Sequence, residues 1–548
     1  MKRYIISIMA IAALAACTDE WDVHYAEDKS VEGTLWDALK TRSEVSNFCK
    51  VLEATGYDER LKSSQMFAVF APTNENFAIE VADGWIVRHQ EEKARGVREE
   101  DNTVIKQFIQ NHLSLSNISV SSLTNEQLTL MNGKYETLTA QKFGESNILT
   151  SNQYAGNGVL YTIDRPEEYF PNVYEYIGMN GQTDSMYAFL SLYDEYEFDP
   201  EESVAGDIVD GKTVYLDSVF HLRNVLINEY GHINREDSSY MALVPTDAVW
   251  KKLYEEYVNY FNYNNLTEKR DSMVRTFTRR AIADGTIFNQ NMQLSLQDSA
   301  VSTKYEELYT GKVGNNEPRY YAYYRPYDMG GIFDGSVGTV CSNGSVMVQN
   351  DWKMDKRLTF YQQIKVEAED NEYVDTIIQA KEPLSVRAVP MDNPFYGRVS
   401  ENHFMEAQNL TSASSTSVTF AIPDNLSNIG YDILAVFVPA IAYNEQAAAE
   451  DRLPCRVRFT LGYTEQDGTE KTATLRNPID NAVNFTTVPD VIDTLVVATD
   501  YKFPTCAYGL EEPQVTLRVA SNLTSSMSSK YTRVLRMDCI ILKPHVAN

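Results

Sequence analysis

The chain has 548 residues, 43% hydrophobic and 23% charged, a globular composition too long for one ordinary core, so three or four domains are expected. A formal net charge of -29 repels phosphates and counts against nucleic acid or an anionic surface as partner.

The first 17 residues, "MKRYIISIMAIAALAAC", carry two basic residues, an apolar run too short to span a bilayer, and small residues before Cys17. Leu14 to Cys17, "LAAC", resembles the lipobox of bacterial lipoproteins. That resemblance implies a signal peptide over 1–16, lipidation at Cys17 and a tether over 17–30. The other reading is an ordinary secretory signal cleaved near Ala15 or Ala16. Asp19, Glu20 and Asp22 resemble the acidic export signal that sends lipoproteins of the Bacteroidetes to the outer face of the outer membrane. The expected location is therefore the outer membrane, lipid-anchored and facing outward. Several acyl chains, each worth about 0.8 kcal/mol per buried CH₂, make such an anchor essentially permanent.

The next segment places Leu35, Leu39, Val45, Phe48, Leu52 and Tyr57 at helical spacing, with a break near Ser43. "FAVFAP" reads as a buried strand stopped by Pro72, and Thr73 and Asn74 are expected to cap the helix that follows. Asn102 to Leu115 is predicted to be an amphipathic helix. Asn132-Gly133, set between two apolar runs, predicts a hairpin, and "GNGVLYTID" (156–164) a turn and closing strand.

The corner "VFAPTNENF", the helix ending at His112, the Asn132-Gly133 hairpin and the closing "NGVLYTID" stand in the order seen in fasciclin domains, and residues 31–169 resemble one. The resemblance implies a wedge of strands with helices at one end, and a role in adhesion or binding without catalytic machinery of its own. A second corner, "YMALVPTDAVW", sets Pro245, Thr246, Asp247 and Trp250 against Pro72, Thr73, Asn74 and Phe77. Asn343-Gly344 likewise echoes Asn157-Gly158. Residues 170–355 therefore resemble a divergent second fasciclin-like domain, with Ala281 in the place of His112.

From residue 356 onward short alternating segments dominate, which predicts a C-terminal antiparallel β-sandwich over 356–548. Its ends, Val366 to Glu369 and Met537 to Pro544, resemble those of jelly-roll carbohydrate-binding domains. The fold class expected is multidomain, α+β followed by all-β.

The five cysteines beyond Cys17 include no C-x-x-C pair, so zinc and thioredoxin-type sites are not expected. Cys455, Cys506 and Cys539 are read either as holding one disulfide or as isolated buried hydrophobes. No close histidine pair, nucleophile elbow or phosphate loop stands in the chain, and neither cofactor nor metal is expected. His112 is read as a core residue. The six carboxylates of Tyr193 to Ser203 are read as a solvated acidic loop. Tyr320, Tyr321, Tyr323, Tyr324 and Tyr327 form the densest aromatic stretch, read either as a strand with tyrosines on both faces or as a ligand-binding ridge.

The combined resemblance implies a non-enzymatic surface lipoprotein that binds glycan or peptide, accessory to a starch-utilisation-type outer-membrane transporter complex. Two alternatives are an adhesin contacting host or neighbouring-cell proteins, and a glycan- or peptide-cleaving enzyme with its site in the sandwich.

Overall fold

The computed structural model describes residues 33–116, 118–209, 212–289, 299–301, 322–370, 374–378, 384–408 and 415–546. Cys17 and the signal and tether segments lie outside the described residues. The chain divides into two compact units, Met1–Pro171 with Glu197–His221, and Asn172–Tyr196 with Leu222–Asn548. No helix among the described residues is long and apolar enough to cross a membrane.

In the first unit, α1 (Leu35–Lys40) opens on a capping box between Thr34 and Asp37. α2 (Ser46–Thr55) ends at Gly56, whose φ of +82° suits glycine, and α3 (Tyr57–Leu61) follows. Next come β1 (Phe67–Pro72) and α4 (Ile79–Ala94). The helix expected over 102–115 is instead a π turn (Ile105–Ile109) and a 3-10 turn (Gln110–His112) that run into β2 (Leu113–Ser114). Beyond it lie β3 (Asn125–Thr129), β4 (Tyr135–Thr139), β5 (Lys142–Phe143), β6 (Ser146–Ala155) and β7 (Gly158–Ile163). They assemble in the order β2-β1-β7-β6-β5-β4-β3, with β1 and β7 parallel from Phe67↔Gly158 to Pro72↔Ile163. Side chains of β1 alternate between two apolar clusters, Val69 and Ala71 on the helix side and Ala68 and Phe70 on the other.

The second unit opens with α5 (Val173–Met179) and α6 (Asp184–Leu190). After them β8 (Asp194–Val209) and β9 (Lys212–Asn224) pair as a ribbon, whose part Glu197–His221 belongs to the first unit; the ribbon corrects the loop expected over 193–203. There Tyr196 and Phe198 alternate with Glu195 and Glu197, a strand period that the count of acids concealed. α7 (Val225–Tyr230), β10 (Tyr240–Pro245), α8 (Asp247–Tyr257), α9 (Arg270–Ala283) and β11 (Ile287–Asn289) follow. β12 (Ser299–Val301), β13 (Ala322–Tyr324), β14 (Gly338–Cys341) and β15 (Gly344–Gln349) complete this lobe. Its main sheet has the order β11-β10-β15-β14, and β10 lies parallel to β15 from Tyr240↔Gly344 to Pro245↔Gln349.

The C-terminal part is all-β, from β16 (Ile364–Glu367), β17 (Val374–Ile378), β18 (Ser385–Ala388), β19 (His403–Ala407), β20 (Ser417–Ile422) and β21 (Gly430–Phe437) to β22 (Arg456–Thr464), β23 (Glu470–Thr474), β24 (Phe485–Thr486), β25 (Asp493–Lys502), β26 (Val515–Ser521) and β27 (Leu535–Pro544). One sheet runs β18-β19-β27-β21-β25 with β16 also on β27; the other runs β17-β20-β26-β22-β23 with β24 also on β22. Val457, Phe459 and Leu461 are fully buried, as their alternation in the sequence predicts.

Candidate functional site

The two corners do something the sequence did not suggest. Thr73 and Asn74 do not cap α4, whose N-cap is Ala78. The side chain of Asn74 instead accepts the Asn47 N–H at 3.0 Å, in the first turn of the preceding α2, and donates to the Ser43 carbonyl at 2.8 Å. Asp247 likewise accepts the Ser185 N–H of α6 at 2.7 Å. Each corner therefore bonds the first turn of an earlier helix, α2 or α6, rather than capping the helix that follows it.

The Asn-Gly pairs lock each parallel pair. Asn157 accepts the Leu35 N–H at 2.7 Å and donates to the Leu61 and Ser63 carbonyls at 2.9 and 2.8 Å. Asn343 accepts the Val173 N–H at 2.8 Å and donates to the Ile233 and Arg235 carbonyls at 2.9 and 2.7 Å. Both asparagines are almost fully buried, and each closes three backbone groups at once.

His112 is fully buried, and its Nδ1 lies 2.6 Å from the Phe108 carbonyl. Nε2 accepts the Glu167 N–H at 3.0 Å, which places the proton on Nδ1. Burial pushes its pKa down to about 4. The Glu167 carboxylate in turn accepts the Ser146 N–H at 3.0 Å and its hydroxyl at 2.6 Å. The histidine thus ties the segment after β7 back to the turn before β2, with both ring nitrogens engaged.

Of the five tyrosines, Tyr320 and Tyr321 lie outside the described residues. Tyr323 is only 2% exposed, its ring edge-on to Phe288 and its hydroxyl 3.2 Å from the Gly285 carbonyl. That corrects its place in a ligand-binding ridge, because neighbouring strand residues point to opposite faces and Tyr323 takes the inner one. Tyr324, on the outer face, is 81% exposed. Tyr327 is half exposed, its ring 5.0 Å from that of Phe333. The adjoining loop is tightly tied: a side chain on Gly331 would meet the Arg325 carbonyl at 2.4 Å, and Lys353 holds Asp334 at 2.8 Å. Exposed Met329 stands on the same loop.

The sandwich gathers buried carboxylates between β16 and β27. Donor atoms of Glu367, Asp538 and Cys539 lie within 4.8 Å of one another, the grouping among the described residues with a metal-binding donor set. Ser400 sits at its centre: its hydroxyl donates to Glu367 at 2.7 Å, its N–H donates to Asp538 at 3.0 Å, and its hydroxyl accepts from Lys365. The Lys365 ammonium also reaches Glu367 at 2.7 Å. Burial pushes the Asp538 carboxyl up to about 6 and that of nearby Glu369 up to about 7. Sequence reasoning missed this group because it depends on the first and last strands pairing, Glu367 opposite Cys539. Both folded pKa values exceed the unfolded ones, so their stabilisation is complete below about pH 4 and lost as pH rises through 6 to 7. Raising the pH from 5 to 8 is expected to cost the second unit about 1 kcal/mol after solvent screening. Asp538→Asn with Glu369→Gln should flatten that dependence in thermal melts; an unchanged slope would remove these groups as its source.

Elsewhere in the sandwich Glu406 holds Arg387 and Arg536 at 2.7 Å each, and Tyr443 faces both guanidiniums. A neighbouring, partly open cleft is bordered by Asp451, Arg452 and Arg536. All five described cysteines are buried and free, and burial pushes the Cys455 thiol up to about 12.

Residues 43–166 match the fasciclin domain family. A search of the curated proteins finds no match. Among solved structures, the FAS1 domain pair of the insect cell adhesion molecule fasciclin I is 11% identical, covering 58% of this chain and 98% of that one, at a TM-score of 0.19. The CBM22-1 xylan-binding domain from Paenibacillus barcinonensis Xyn10C is 11% identical over 33% of this chain and 94% of its own, at 0.20. The CBM22-1-GH10 modules of Clostridium thermocellum endo-1,4-beta-D-xylanase 10B are 12% identical over 34% of this chain, at 0.21, and only 29% of the xylanase chain is spanned. At such TM-scores these three likenesses carry no argument about function.

Proposed function

We propose that the chain is a lipid-anchored outer-membrane protein that captures glycan or peptide at the cell surface without covalent chemistry, as an accessory subunit of a nutrient-uptake complex of the starch-utilisation type. The fasciclin match over 43–166 carries this reading, since that family points to adhesion or binding. "LAAC" at Leu14 to Cys17 supports the anchor. Exposed Tyr324 and Tyr327 beside a tied loop offer flat apolar area with hydroxyl groups, at little entropic cost to a ligand. The same reading takes residues 170–355 as a second, divergent fasciclin-like domain, supported by the repeated six-residue parallel register and the repeated Asn-Gly lock, and takes the sandwich as jelly-roll-like. The fasciclin match also favours a second reading, an adhesin for proteins of a host or neighbouring cell.

The test is affinity purification from detergent-dissolved membranes, followed by glycan and peptide arrays. The intact chain should bring down an outer-membrane transporter, and Cys17→Ala should appear in the soluble fraction. Tyr324→Ala with Tyr327→Ala should weaken array binding by about tenfold or more. Recovery of the chain alone sinks the accessory role, binding confined to host proteins turns the choice to the adhesin, and turnover of a ligand overturns non-covalent capture.

A further inference from the structure

We infer that the second lobe (β10, β15 and their helices) and the C-terminal sandwich are a single cooperative body that opens and closes as one, so that the sandwich is presented in a fixed orientation to the lobe. This does not depend on what the chain binds.

Both parts fall in one compact unit, and one apolar cluster runs through them from Val173 and Trp250 by way of Phe261 to Val497 and Leu542. The joint is the stretch "NYFNYNN" (259–265) that leaves α8. Its backbone is stitched to the sandwich at three levels. The Tyr260 carbonyl accepts the Ser427 N–H at 2.9 Å, the Asn262 carbonyl accepts the Cys506 N–H at 3.0 Å, and the Asn265 N–H donates to the Gln466 carbonyl at 2.9 Å. Two of its side chains, Phe261 and Tyr263, are fully buried. The Tyr263 hydroxyl donates to the Tyr508 carbonyl at 2.7 Å, and the Phe261 ring lies 5.4 Å from Tyr508 and 5.7 Å from Phe360. From the lobe, Phe277 on α9 packs edge-on to Tyr508 at 5.5 Å. It also lies so close to Gly509, φ +71°, that a side chain there would meet it at 2.4 Å.

An ordinary interface between autonomous domains of one chain is small and polar. This one is built on a loop of the lobe, between α8 and α9, whose aromatic side chains are buried and whose backbone bonds to the sandwich. Opening either partner would strand the buried rings and amides of the other, and that shared penalty is what makes two packed parts cooperative.

Hydrogen exchange on the full chain across a series of sub-denaturing urea concentrations tests this. Slow amides of β10 and β15 should exchange through the same opening as those of β20, β22 and β26, with equal free energies and equal urea slopes. A sandwich-core substitution remote from the joint, Phe459→Leu, should speed exchange in β10 and β15 by the same factor as in β22, about tenfold, and leave β1 and β7 unchanged. Lobe amides that open with a smaller slope, or that keep their protection while β22 loses it, overturn the inference. If Phe459→Leu does not fold, the urea series on the unsubstituted chain decides alone.

Discussion

Gly158→Ala is expected to unfold the first unit, and Gly344→Ala to unfold the second, the lobe built on β10 and β15 together with the sandwich. The two glycines have φ of +144° and +151°, and a Cβ would stand 2.0 Å from the Phe67 carbonyl oxygen and 1.7 Å from that of Tyr240. The obstructing atoms are backbone. They cannot retreat, because Phe67 and Tyr240 are held by N–H donation to the Asn157 and Asn343 carbonyls at 3.1 and 2.9 Å. Left-handed strain and loss of the parallel register together should cost about 4 kcal/mol or more. Gly56→Ala is the control: its φ of +82° is also left-handed, but nothing lies within 4 Å, and it should cost only about 1 kcal/mol. Urea denaturation followed by circular dichroism measures all three. Equal losses at Gly56 and Gly158 would show that backbone strain alone acts there and that close approach is irrelevant.

The second large effect concerns acid. His112 has its pKa depressed by burial from 6.5 to about 4. The folded state therefore binds the proton more weakly than the unfolded chain. Its contribution to stability is complete above about pH 6.5 and is lost as pH falls through 4, about 3 kcal/mol in all. Melts of the full chain should show the transition of the first unit moving down over that window. His112→Gln, whose amide can both donate and accept, is expected to lose about 2 kcal/mol at pH 7 but to remove that share of the acid sensitivity. If the variant keeps the full slope between pH 6.5 and 4, His112 is not its source. If residues 170–355 are a second fasciclin-like domain as proposed, Ala281 takes the place of His112 there, and that lobe should lack this component.

Much of the architecture was legible from residues a few positions apart. Period-two alternation located β22 and β26, and the proline-stopped strands and Asn-Gly pairs located both parallel pairs, because those signals are local in the chain. What stayed hidden depends on partners far away. Asn74 looked like a cap for the helix after it, yet its partners are Asn47 and Ser43. Asp538 and Glu367 became neighbours only through pairing of strands some 170 residues apart. Tyr323 and Tyr324 read alike in sequence, and only the choice of strand face separated the buried ring from the exposed one. The run 102–115 has helical spacing throughout, but Asn102 caps its start through the Val104 and Ile105 N–H groups and His112 draws its end into another hydrogen-bonding scheme.

The parallel pairing of β1 with β7 also bears on the order of events during synthesis. Phe67 meets Gly158, a separation of 158 − 67 = 91 residues, and Tyr240 meets Gly344, a separation of 344 − 240 = 104. A central ladder closed over such distances forms late, because the entropy of closing the loop is spent before any of its bonds are gained. As the chain emerges N-terminus first, each of these sheets must wait for its last strand. Until then β1 and β10 are apolar strands with no neighbour on the β7 or β15 side, the form of the chain most in need of a chaperone.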